Sequence, residues 1–131
     1  MVDVLKKELS LPFEEAVERV KNIVEEDFSV MMVKSIDEVL RKNLDLSEEP
    51  EKYTTILACG AGLAKMALDV SKNIGALMPC SFVVYEEDGK VYASHVSIMK
   101  IASELKLADQ EAMKPVIEET GEHVSRVWKK I

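Results

Sequence analysis

SFVVYEEDGKVYASHV, Ser81 to Val96, decides how this chain can fold. Two runs of alternating apolar and polar residues flank Glu87, Asp88 and Gly89, and an Asp-Gly pair in that setting is the strongest short-range hairpin signal. Strands joined so tightly run antiparallel. The segments on either side are therefore read as parts of an antiparallel sheet and its cover.

Upstream, YTTILACG, Tyr53 to Gly60, is β-branched and then almost continuously apolar, which predicts a central strand. The helix after it carries Leu63, Ala64, Met66, Ala67, Leu68 and Val70, and closes at Ser71 to Gly75. Earlier still, FSVMMV (Phe28 to Val33) predicts a strand, and SIDE (Ser35 to Glu38) has the capping-box spacing that opens a short helix to about Leu44. Asp45 to Lys52 is polar, contains Pro50 and reads as loop. Phe13, Ala16, Val17, Val20, Ile23 and Val24 recur at helical spacing behind Pro12, which suits a first turn, with Glu14 and Glu15 where the helix dipole favours anions. The alternation at Val2, Val4 and Lys6 supports no more than an edge strand over Asp3 to Leu9.

Downstream of Ser97 the pattern is helical. A first helix runs from Ile98 to about Leu105, and Asp109 can cap a second after a break at Leu107. Met113, Ile117, Thr120, Val124, Val127 and Ile131 form one stripe along that long helix, with Pro115 in its early turns and Gly121 as a soft point. Trp128 flanks the stripe, either as a core aromatic or as a dimer contact. The expected fold is α+β: one domain over residues 1 to 131, an antiparallel sheet of four or five strands, helices on one face, and a long C-terminal helix.

Composition narrows the function. The chain has 131 residues, 47% hydrophobic and 31% charged, with no apolar run near the roughly 20 residues of a membrane span. The start MVDVLKKELS has no h-region, so a cytoplasmic protein is expected, without membrane association. A net charge of -7 argues against nucleic acid, which needs clustered Lys and Arg. One glutamine and three asparagines beside abundant Glu and Lys lean toward a heat-adapted source, where intracellular disulfides occur.

The candidate site centres on ILACGAGLAK, Ile56 to Lys65. Gly60-Ala61-Gly62 between a strand and a helix has the layout of a dinucleotide loop, yet Lys65 stands at the third glycine position. Glycines easing a tight turn explain the pair without a nucleotide. Cys59 would lie just before a helix N-terminus, whose partial positive charge favours thiolate; the competing reading is a small buried hydrophobe. Cys80, after Met78-Pro79, opens the first hairpin strand and can approach Cys59 at one rim of the sheet. Their spacing matches neither a CxxC motif nor a four-ligand zinc pattern. His95 is the plausible nitrogen donor near them, with Met78 and Met99 as thioether candidates, because His123 belongs to the long helix. No Ser-His-Asp framework or positioned general base is visible, and the identity of any cofactor stays open.

The segments LPFEEAVERVKNIVEE, FSVMMVKSIDEVLRKNL, YTTILACG and IGALMPCSFVVYEEDGKV, in this order between about Leu9 and Val96, resemble the uncharacterised bacterial and archaeal family called domain of unknown function 302. The resemblance implies a two-layer fold similar to the TATA-box-binding-protein-like β-α-β-β-β-β-α arrangement, with extra helices, and implies no DNA binding. Both family cysteines carry over, as Cys59 and Cys80. Their usual neighbours do not: Gly60-Ala61 replaces Asn-Pro, Ser81 replaces Asn, and Ser97-Ile98 replaces a hairpin-ending Asp-Pro. The family has no settled activity.

Two functional readings follow. In one, Cys59 and Cys80, with Gly60, Gly62 and His95, line a rim site for a small ligand, a metal or a sulfur species, with binding or redox handling as the task. In the other, the protein is a homodimeric interaction module whose cysteines are packing residues and whose C-terminal helix and Trp128 make the contact. A hydrolytic or transferase enzyme has least support.

Overall fold

The fold, seen in a computed structural model that describes residues 4–131, follows the order β1 (Val4–Leu9), α1 (Phe13–Val24), β2 (Ser29–Ser35), α2 (Ile36–Asn43), β3 (Tyr53–Cys59), α3 (Ala61–Val70), a 3-10 segment (Lys72–Leu77), β4 (Cys80–Glu87), β5 (Lys90–Val96), α4 (Ile98–Glu104) and α5 (Gln110–Lys130). Val2, part of the expected edge pattern, lies outside the described residues. Asp88 and Gly89 sit at φ 51° and 77°. Positive φ at both central residues is what a two-residue I′ turn demands, and Asp and Gly are the residues that tolerate it. Glu87 therefore belongs to β4 and pairs with Lys90, leaving a tighter turn than the three-residue link expected.

All neighbours in the sheet are antiparallel, in the order β1-β5-β4-β3-β2. β3 is thus internal, as its apolar run predicts, and β1 is an edge. Because β1 and β2 occupy opposite edges, α1 has to cross one whole face of the sheet to connect them. Its stripe of Phe13, Ala16, Val20 and Val24 is buried there against Ile56, Ala58, Phe82, Val84 and Ala93. Pro12 precedes α1 as its N-cap instead of opening the first turn. Ser35 caps α2 by accepting from the Glu38 amide, as the SIDE spacing predicts.

The long helix serves two cores. Val124, Val127 and Ile131 join the sheet core, while Met113 and Val116 join a second cluster with Ala67, Ile74, Met99 and Ala102. Val116, not Ile117, is fully buried in this first half, because the helix turns toward α3 and α4 there and leaves Ile117 half-buried. Polar ties hold the second half on the sheet: Arg126 Nε donates to Asp27 (2.9 Å), Lys130 Nζ to Glu26 (2.6 Å), and Lys7 Nζ to the Trp128 carbonyl (2.9 Å). Thr120 lies between the two cores. Among the described residues, no helix is long and apolar enough to cross a membrane.

Candidate functional site

Strand parity puts Cys80 and His95 on the same inward face and leaves Cys59, which follows the inward Ala58, on the opposite parity. On β5, Val91, Ala93 and His95 point inward, so His95 shares the helix-covered face with its partner Phe82 on β4. The two rings stack at 4.2 Å and 14°. His95 is only 3% exposed, and its Nδ1 lies 2.8 Å from the Ser81 carbonyl. A carbonyl can only accept, so Nδ1 carries the proton and Nε2 keeps a lone pair. Burial lowers the His95 pKa, against the opposing effect of the Ser81 bond, and this holds the ring neutral.

Nε2 is buried and has no hydrogen-bond partner. The same is true of the Thr120 hydroxyl, on a residue 2% exposed. These two atoms are the buried orphans found among the described side chains. Both residues line one cleft of about 380 Å³, between the β1/β5 side of the sheet and α4 and α5. Leu5, Ile117, Val124 and Trp128 give it an apolar wall. Ser97 and Ser125, with the stems of Lys100 and Lys129, complete it, and no carboxylate lines it. A largely apolar concavity with a few convergent polar groups is the usual form of a small-molecule site.

The cysteines lie on the other side of Thr120. Cys59, Gly60 and Cys80 line a gap of about 10 Å³ together with Thr120, Met78 and Met99. That is close to the limit for a single water. Both thiols are free, Cys59 half-buried and Cys80 buried. Burial, and secondarily the nearby Cys59, pushes the Cys80 thiol up to about 11. A folded pKa raised above the unfolded value stabilises the protein at low pH and withdraws that stabilisation as pH rises from about 9 to about 11. The expected loss is about 2 kcal/mol over this window, absent in Cys80→Ala, and denaturant unfolding of both proteins at the two ends of the window measures it. Equal losses in the two proteins would remove burial of Cys80 as the cause.

Gly60 and Gly62 need no special backbone. Gly60 caps α3 at φ -94°, and a Cβ there would come 3.1 Å from Leu63, so glycine serves close packing. A Cβ on Gly62 would meet open space. The depression before them is lined by Asp27 and Glu119, the wrong sign for a phosphate, and Lys65 is bonded to Asp69 at 2.7 Å instead of facing it. Among the described residues no group of three or more His, Cys, Asp or Glu could hold a metal ion, so Cys59, Cys80 and His95 do not form a metal-ligand set.

The sequence reading passed over Thr120 and Asp37. Thr120 is the lone polar member of the α5 stripe, and that polarity is the signal in the sequence that marks it. Asp37, 4% exposed, accepts from the Ser35 hydroxyl, the Tyr53 amide and Arg41. Trp128 lines the cleft and packs against the core, with Lys7 Nζ 5.4 Å from its ring.

An antiparallel α+β sheet backed by one crossing helix and a long C-terminal helix, with a cleft between sheet and helix, defines a small single-sheet module without a cofactor-binding motif. The profile for Domain of unknown function DUF302 matches residues 5–131, and the chain belongs to that family. It is similar to a solved structure described as an uncharacterized conserved protein DUF302 from Bacillus stearothermophilus, at TM-score 0.81 and 22% identity, over 97% of this chain and 96% of that one. Among curated proteins none matches. The likeness supports the two-layer β-α-β-β-β-β-α arrangement, here with α2, α3 and α4 added.

Proposed function

We propose that this protein is a binding module for a small, largely apolar molecule seated in the cleft of His95, Thr120 and Trp128. The observation that carries the reading is the pair of buried orphan atoms, His95 Nε2 and Thr120 Oγ, on two residues of one cleft wall. A buried polar group without a partner costs about 1–3 kcal/mol, and native proteins rarely keep two such groups on residues of one cleft without use for them. The thiols enter as the far side of Thr120: a ligand that reaches this residue is one side chain away from Cys80.

Thr120→Val tests this directly. The substitution keeps the shape and removes an unpartnered hydroxyl, so the ligand-free protein should gain about 1 kcal/mol in urea unfolding. A loss of about that size would mean that the hydroxyl already has a partner in the folded chain and would sink the reading. Gly121→Leu gives the complementary variant, because a Cβ at Gly121 meets nothing within 4 Å and the side chain can fill the cleft without displacing core.

Homodimerisation remains the second reading, moved to a different patch. β2 is one of the two edge strands among the described residues, and Met31 (64% exposed) and Met32 (54%) lie on it at a register shift. An apolar edge strand is a template for pairing with a second copy. Gel filtration over a wide concentration range should show a dimer that Met32→Glu weakens; a monomer throughout would end this reading.

A further inference from the structure

We infer that the ligand carries a hydroxyl group at its inner end, set between His95 Nε2 and Thr120 Oγ, on an apolar body that lies against Trp128. The inference rests on the cleft reading above and names the chemistry of its ligand. The Ser81 carbonyl commits Nδ1 as donor, so Nε2 can take part in a hydrogen bond only as acceptor. Its partner must donate. Thr120 offers a hydroxyl that can donate in turn. A group that gives one hydrogen bond to Nε2 and takes one from Oγ satisfies both orphans at once, and a hydroxyl does so within a single atom.

Other polar groups fit less well. A carboxylate cannot donate to Nε2, and an ammonium cannot accept from Thr120. Both orphan atoms lie below the accessible surface, so the hydroxyl reaches them when the cleft wall over them shifts. Outside that pair the wall is apolar: Leu5, Ile117, Val124 and the Trp128 ring would face the body of the ligand. This excludes sugars and other molecules polar along their whole length.

Trp128 is the chain's single tryptophan, so its fluorescence reports on this cleft alone. The probes are p-cresol and toluene, which differ by one hydroxyl. p-Cresol should bind at least about tenfold more tightly, because toluene leaves both polar groups unpaired. Thr120→Val should bring p-cresol down toward toluene, and Gly121→Leu should abolish both. In the native protein, p-cresol should also shift the nitrogen resonance of His95 Nε2 while toluene leaves it unmoved, a readout that needs no variant.

Equal binding of the two probes, both blocked by Gly121→Leu, would overturn the hydroxyl and leave the cleft reading standing. No response to p-cresol, or a response indifferent to Gly121→Leu, would also overturn the inference. The stability of Thr120→Val then judges the cleft reading by itself.

Discussion

Phe82→Ala should lower the unfolding free energy by about 3–5 kcal/mol, the range for deleting a large buried aromatic side chain. The Phe82 ring is almost wholly buried at the centre of the sheet core, tilted against Phe28 at 5.9 Å and stacked on His95 at 4.2 Å. The ring thus links Phe28, beside the α1–β2 corner, to His95 of the cleft. The loss should therefore carry a second sign: His95, freed from stacking, should lose the sharp environment of its ring resonances. Phe82→Leu should cost about 1 kcal/mol and keep the fold while showing the same loosening of His95. Urea unfolding and NMR of the two variants check this. A destabilisation below about 1 kcal/mol for the alanine variant would show that the ring is not part of the working core.

Asp37→Ala should cost about 2–4 kcal/mol, because it strands several donors at one blow. The carboxylate accepts from the Ser35 hydroxyl at 2.8 Å, from the Tyr53 amide at 2.9 Å and from Arg41 at 2.7 Å, and Arg41 also reaches Glu49 at 2.8 Å. One side chain thus joins the cap of α2, the start of β3 and the loop between them. Burial pushes the Asp37 pKa upward, but the bonds from Tyr53, Ser35 and Arg41 outweigh it, and the net direction is down. A folded pKa below the unfolded value gives stability that is present above about 3.9 and lost as pH falls through the folded value. Asp37→Asn should accordingly flatten the acid limb of the stability profile. An acid limb unchanged in that variant would place the acid sensitivity elsewhere.

Much of the fold is written in short stretches, and particular residues show why. Asp88-Gly89 can adopt two consecutive positive φ values where most residues cannot, so the hairpin and its register are local properties. Ser35 caps α2 because its hydroxyl reaches an amide three positions on, and Asp109 caps α5 in the same way. The order of elements left open whether the cysteines meet, and the Ala58↔Cys80 pairing sets Cys80 opposite the residue before Cys59. Among the described residues His95 does not join them in a group that could hold a metal ion. Alternation along β5 already puts His95 on the same face as Val91 and Ala93, and the pairing with Phe82 adds Cys80 to that face, yet only the packing of α5 shows that His95 lines a different gap from the thiols.

The sequence by itself determined the elements and their caps, the antiparallel hairpin and the inward face of each amphipathic helix. These depend on residues within a few positions of one another, where backbone sterics and hydrogen-bond reach act directly. Tertiary structure alone decided the cleft. Its walls come from Leu5, His95 and Thr120, which meet only because β1 pairs with β5 and α5 passes from one core to the other above them. Whether a buried hydroxyl or imidazole nitrogen finds a partner is a property of that packing, since it depends on atoms scores of residues apart in the chain.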